Sequence, residues 1–147
     1  MSEDPSLAGR PVPTALLIKW ADMVARSQLE AALRSWRLSS GQMMLLSTLE
    51  RIGSASAADL ARALHLTPQA MTTQLKPLEE RGLIAREVDG DNRRRLSLAL
   101  SEGGLALLAE VRETTDAVDV EISSVFTPAE LKQFRALLGK ISRAPRA

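Results

Sequence analysis

Apolar residues recur at spacings of three and four through most of this chain, and the places where the rhythm breaks mark out its elements. From Thr14, Leu17, Trp20 and Val24 form one stripe, widened by Leu16 and Met23 and continued by Leu29 and Leu33. Ser39-Ser40-Gly41-Gln42 supplies an N-cap with Gln three residues on; Leu45, Leu49 and Ile52 follow, and Gly53 closes that helix. Ser56-Ala57-Ala58-Asp59 opens a short helix with Leu60, Ala61 and Leu64 inward, ending near His65-Leu66. A few residues later Thr67 is an N-cap and Pro68 takes the first helical position, where its missing N–H costs nothing. Met71, Leu75 and Leu78 are the buried stripe of this next helix, and Gly82 ends it. Pro77 lies in its last third, so a bend is expected there.

The period then changes. Leu83 to Val88 reads as a strand, and Leu96-Ser97-Leu98-Ala99-Leu100 alternates as its partner. Ser101-Glu102-Gly103-Gly104 breaks the chain before a long helix. There Leu108, Val111, Thr115, Val118, Ile122 and Val125 alternate spacings of three and four, an a/d seam. Thr127-Pro128-Ala129-Glu130 starts a last helix with Leu131, Phe134, Leu138 and Ile141 on one side. The expected fold is mainly α with a small two- to three-stranded β-wing. A winged helix-turn-helix spans 39–100, a helix precedes it over 14–36, helices follow over 101–147, and 1–13 is a proline-rich mobile arm. The flanking helices carry seams to bury against one another or against a second copy.

The face opposite Met71 and Leu75 carries the candidate chemistry. Gln69, Thr73 and Lys76 share it, with Thr72 beside them. Gln and Thr can read base edges in a major groove, and Lys can reach phosphate or guanine. The turn between the strands holds Arg93, Arg94 and Arg95, a cationic tip. The plainer reading of the same features is an ordinary amphipathic helix and a solvated loop.

Composition narrows the field. The 147 residues suit one domain or a small module with an extension, and 45% are hydrophobic, ample for a core. The absence of cysteine removes disulfides, cysteine-ligated zinc and thiol redox sensing together, and the single His65 cannot build a histidine metal site. No cofactor or metal is expected. With no glycine-rich phosphate loop and no nucleophile beside a base, an enzyme is not expected either. The net charge is only +1, so any attraction to nucleic acid must come from local clustering. No apolar run approaches a membrane span and no signal pattern opens the chain, which predicts a soluble cytoplasmic protein.

Leu49, Ser56-Ala57-Ala58-Asp59-Leu60-Ala61, Leu64, Thr67, Met71-Thr72, Leu75, Leu78-Glu79, Gly82-Leu83-Ile84, Arg86, the arginine turn and Ser101-x-x-Gly104 form an ordered set. In that order they resemble the MarR family of bacterial regulators, over roughly Thr14 to Arg143. The family's wing usually carries Asp-x-Arg. Counting back from Ser101 puts that pair at Asn92 and Arg94; counting by residue type gives Asp91-Asn92-Arg93. The first register keeps Leu96, Leu98 and Leu100 on one face and leaves Asn92 without the usual salt bridge.

The resemblance implies a homodimer that binds a pseudo-palindromic double-stranded DNA operator as a repressor. One helix of each subunit enters the major groove and a wing arginine the minor groove. It implies base or groove-edge contacts from Gln69, Thr72 and Thr73, backbone positioning by Thr67, Lys76 and Arg86, and a place for Ser56 and Ala70 on the DNA-binding side. Asn92, Arg93, Arg94 and Arg95 form the wing. It also implies release by a small phenolic or anionic effector, near Trp20, Met23, Met43, Met44 and Arg51. The dimer would form through Leu16, Leu17, Val118, Ile122, Val125, Leu131, Phe134 and Leu138. Two other readings keep the fold: a ligand-independent architectural or nonspecific DNA binder, and a protein-interaction module, against which the arginine run speaks.

Overall fold

A computed structural model describes residues 11–88 and 96–143. In chain order these form α1 (Thr14–Leu33), a 3-10 turn (Arg34–Trp36), α2 (Ser40–Ile52), β1 (Ser54–Ala55), α3 (Ala57–Ala63) and α4 (Pro68–Glu80). Then come β2 (Ile84–Val88), β3 (Leu96–Leu100), α5 (Glu102–Ser123) and α6 (Pro128–Ser142). The fold is mainly helical with a small antiparallel sheet.

Side-chain caps fix where five of the helices begin. Ser39, Ser56, Thr67, Ser101 and Thr127 each accept the backbone N–H three residues on, at 3.1 to 3.3 Å. At Ser39 and Thr127 the Gln42 and Glu130 side chains bond back to the cap N–H, so both boxes are closed. Each cap satisfies a donor that the helix cannot. Gly53 (φ +83) and Gly82 (φ +69) end α2 and α4 in the left-handed region.

One feature differs from the sequence reading and two others gain detail. The segment 14–36 is not one helix: α1 stops at Leu33 and tightens into the 3-10 turn. Arg37, at φ +51, then reverses the chain so that Leu33 and Leu38 both enter the core. Helix α4 continues through Pro77 to Glu80; Pro77 has no N–H to give the Thr73 carbonyl, but Leu75 and Leu78 on either side are buried and hold the turn. The third strand is β1, too short to show a period, which pairs with β3 to give the order β1-β3-β2. Ser54 stands opposite Ala99, and Ile84 opposite Leu100.

The core sits beneath this sheet. Leu45, Leu46 and Leu49 of α2 meet Leu60, Leu78, Leu98, Leu108 and Val111, all fully buried. Each such side chain contributes about 1.5–3 kcal/mol on leaving water. Gly104 lets α5 approach the segment between α4 and β2, because a Cβ there would run into the Leu83 carbonyl oxygen. The Ser101 N–H donates to that same carbonyl at 3.1 Å. The Ser101-x-x-Gly104 pattern is therefore a cap plus a close helix approach.

The a/d seam expected through Val125 is cut short. Leu108, Val111 and Val118 are buried within the chain and Ile122 is half-buried, but α5 ends at Ser123, so Val125 lies in the turn before α6 and is 78% exposed. On α1, Leu16, Leu17, Ile18, Trp20, Met23 and Val24 are exposed, and α6 has no buried residue. Helix α6 is held by stacking of Phe126 on Phe134 at 4.8 Å and by an Arg135–Asp119 pair at 2.7 Å. Among the described residues no helix is long and apolar enough to cross a membrane.

Candidate nucleic-acid interface

Helices α3 and α4 are separated by four residues, Leu64 to Thr67, and this is the turn of the helix-turn-helix. His65 makes the reversal at φ +55, and its ring Nε2 lies 3.1 Å from the Ser142 carbonyl oxygen at the end of α6. The reversal aims α4 so that Met71, Leu75 and Leu78 are buried and Gln69, Thr72, Thr73 and Lys76 are exposed. Ala70 is half-buried and Thr67 exposed, both at the start of the same face.

The chemistry of that face follows from its hydrogen bonds. The Thr72 hydroxyl donates to the Pro68 carbonyl and the Thr73 hydroxyl to the Gln69 carbonyl, each at 3.0 Å. Their protons are committed to the helix, which leaves the lone pairs to accept from an incoming amine or amide. Gln69 can both donate and accept. Lys76 lies 3.9 Å from Glu80 with both side chains well exposed, a pair that water screens and a stronger anion can replace.

Arg86, on β2, lies opposite Leu98 of β3. It grips Glu79 of α4 through two nitrogens, and this partner raises its pKa further, so it is cationic at every accessible pH. The grip ties the wing's first strand to α4. Ala57, Pro68, Thr72, Lys76 and Arg86 share a groove of about 440 Å³ on this side of the molecule. Ser56 uses its hydroxyl to cap α3 and donates to Asp59 at 2.8 Å. Asn92, Arg93, Arg94 and Arg95, with the two possible registers of the wing, lie outside the described residues.

Of the residues expected near an effector, Met43 is the one that lines a described cleft. Met43 lines a cleft of about 190 Å³ between α2 and α5, with Ser47, Glu50, Leu108, Arg112 and Thr115. Glu50 and Arg112 are paired across it at 2.7 Å. Trp20, Met23, Met44 and Arg51 are exposed and lie outside that lining. Of the residues expected at a dimer contact, Leu16, Leu17, Val125 and Leu138 are exposed, and Ile122, Leu131 and Phe134 are half-buried. Val118 is part of the chain's own interior. Among the described residues no group of acidic or histidine side chains could hold a metal ion.

Two polar residues that the sequence reading passed over, Gln74 of α4 and Arg81 at its C-cap, stand out in three dimensions. Gln74 accepts from the Ser39 hydroxyl at 3.2 Å, and Arg81 donates to the carbonyls of Trp36 and Arg37. Nothing local marks them, because their partners lie 35 to 45 residues away.

Residues 38–96 match the model of the MarR family. The chain is 30% identical over 129 residues to the HTH-type transcriptional repressor Rv2887 of Mycobacterium tuberculosis, covering 88% of this chain and 93% of the relative. A crystal structure of that Mycobacterium tuberculosis protein in complex with salicylic acid superposes with a TM-score of 0.73 at 30% identity, over 92% and 99% of the two chains. A mutant MarR from E. coli complexed with operator DNA gives a TM-score of 0.79 over 88% and 94% of the chains. At 20% identity that second likeness is one of fold.

Proposed function

The chain belongs to the MarR family and has its winged-helix DNA-binding fold, and from that premise we propose that it is a homodimeric, sequence-specific repressor acting in the cytoplasm. It binds a pseudo-palindromic operator. The observation that carries this reading is the outer face of α4. Gln69, Thr72, Thr73 and Lys76 stand exposed on a helix whose other side is anchored by Met71, Leu75 and Leu78. In this reading α4 enters the major groove, Gln69, Thr72 and Thr73 take base edges or groove-edge phosphates, and Thr67 and Lys76 position the backbone. Arg86 supports the wing through Glu79, and the Arg93–Arg95 run supplies the salt-sensitive attraction and the minor-groove contact.

The dimer is formed by α1, α6 and the distal part of α5. Exposed Leu16, Leu17 and Trp20 on α1 and Leu137, Leu138 and Ile141 on α6 are apolar surface that a second copy covers. Release follows when a small aromatic anion binds better to a dimer whose two recognition helices are misplaced. The relative crystallised with salicylic acid supports this ligand class, and the cleft at Met43, next to Arg112, is the place assigned to it.

The test is a gel-shift titration against the DNA upstream of this chain's own coding sequence, with nonspecific competitor, at two salt concentrations. A discrete, competitor-resistant shift that salicylate reverses is the expected result. A competitor-sensitive smear that salicylate leaves unchanged would replace this reading with that of a nonspecific architectural binder.

A further inference from the structure

Helix α4 is tethered at two places to the junction between α1 and α2. Near its middle, Gln74 accepts from the hydroxyl of Ser39, which is itself the N-cap of α2. At its C-cap, Arg81 donates from one terminal nitrogen to the Trp36 carbonyl at 2.8 Å and from the other to the Arg37 carbonyl at 3.0 Å. Those carbonyls end the helical run of α1 and its 3-10 turn. Unpaired acceptors and the negative end of the helix dipole collect at such a point. The left-handed Arg37 ends that run, and the planar guanidinium spans its two successive carbonyls as a lysine ammonium cannot.

The junction is close-fitting at the other tether as well. A Cβ on Gly41 would sit 3.0 Å from Gln74 Nε2, so a larger residue there would push the glutamine. The two tethers are seven residues apart on α4, roughly 10 Å along its axis. One bond at a single point would let the helix pivot; two at that separation resist both tilt and rotation.

We infer that Arg81 is a positioning residue, which together with Gln74 makes the direction of α4 follow the direction of α1. This rests on the DNA-binding dimer proposed above. In that dimer α1 belongs to the part shared by the two subunits, so the clamp at residues 36–41 sets the distance and pitch between the two recognition helices. It thereby sets the half-site spacing the protein accepts. Arg81 itself touches no base in this account.

The experiment uses the full chain, wild type and with Arg81→Gln or Arg81→Lys, on the segment of upstream DNA that the wild type protects. Two further duplexes have one base pair added or removed at the centre of that segment. Affinities are measured at two salt concentrations and melting temperature is recorded in parallel. For Arg81→Gln, affinity at the native spacing falls about tenfold and the three spacings become nearly equivalent, while the salt slope stays unchanged. Arg81→Lys, which keeps a cation able to reach one carbonyl, recovers part of both.

Unchanged affinity and spacing preference in Arg81→Gln, with or without a lower melting temperature, would reduce Arg81 to a stabilising cap. A salt slope lower by about one unit would make it a phosphate contact instead. Should Arg81→Gln not fold, Gln74→Leu removes the other tether and must produce the same loss of spacing discrimination. A wild type that binds no DNA overturns the DNA-binding reading itself. That result is distinct from a wild type that binds and an Arg81 variant that matches it.

Discussion

The two halves of this molecule use the same helical stripe to different ends. In the lobe formed by α2, α3, α4 and the sheet, the leucines at three- and four-residue spacing meet one another, and Leu45, Leu49, Leu60 and Leu78 are fully buried. In α1 and α6 the same spacing leaves Leu17, Trp20, Leu138 and Ile141 substantially exposed. The first pattern is complete within one chain. The second leaves large apolar residues of α1 and α6 in water, which is costly unless another surface covers them, and the dimer proposed above would supply that surface. Helix α5 leads from one regime to the other: Leu108 and Val111 on it are buried, and Val125, in the turn after its end at Ser123, is 78% exposed.

The sharpest way to break this contrast is to damage each half in turn. Leu49→Ala empties a fully buried position in the closed lobe and should destabilise the protein by about 2–5 kcal/mol in chemical denaturation. Leu17→Glu places a charge in the open stripe. It should leave the lobe folded yet weaken self-association by about a hundredfold in sedimentation, because a two-fold contact feels the change twice. A Leu17→Glu chain that remains a tight dimer would remove α1 from the interface.

Gly104→Ala tests the seam between the halves. The added methyl meets the Leu83 carbonyl, and the cost should be about 1–3 kcal/mol by thermal melting. Thr67→Ala removes the cap of α4 alone, for about 1 kcal/mol, and should weaken DNA binding by more than its effect on melting suggests.

The smallest effect belongs to the open half. Glu130 closes the capping box of α6, and the Thr127 N–H and hydroxyl hold its pKa below the ordinary glutamate value. A depressed folded-state pKa means the contribution is complete above the unfolded-state value and is lost as pH falls through the folded one. Far-UV circular dichroism of wild type should therefore show a slight loss of helix on acidification that Glu130→Gln lacks. Equal acid profiles would deny the box any part in holding α6.

Much of the architecture was legible because it is locally encoded. Helix starts at Ser39, Ser56, Thr67 and Thr127 depend on one side chain and a donor three residues away, and the strands on a two-residue alternation. The polar face of α4 was legible for the same reason, since a helix fixes which residues share a side. The third strand was not, because two residues carry no period. Nor was the end of α1 at Leu33, where helical spacing runs on and only the burial of Leu33 and Leu38 explains the turn.

Sequence alone determined the order of the helices and of the two longer strands, most of the caps, and the residues α4 exposes, all set by neighbours within about four positions. Tertiary structure decided what no local window contains. It ended the α5 seam before Val125 and left that residue on open surface, joined Arg86 to Glu79, and brought Arg81 and Gln74 onto the α1–α2 junction. Those contacts join residues 7 to 45 apart, and such partners meet only when the packing of the intervening elements has fixed where each helix points.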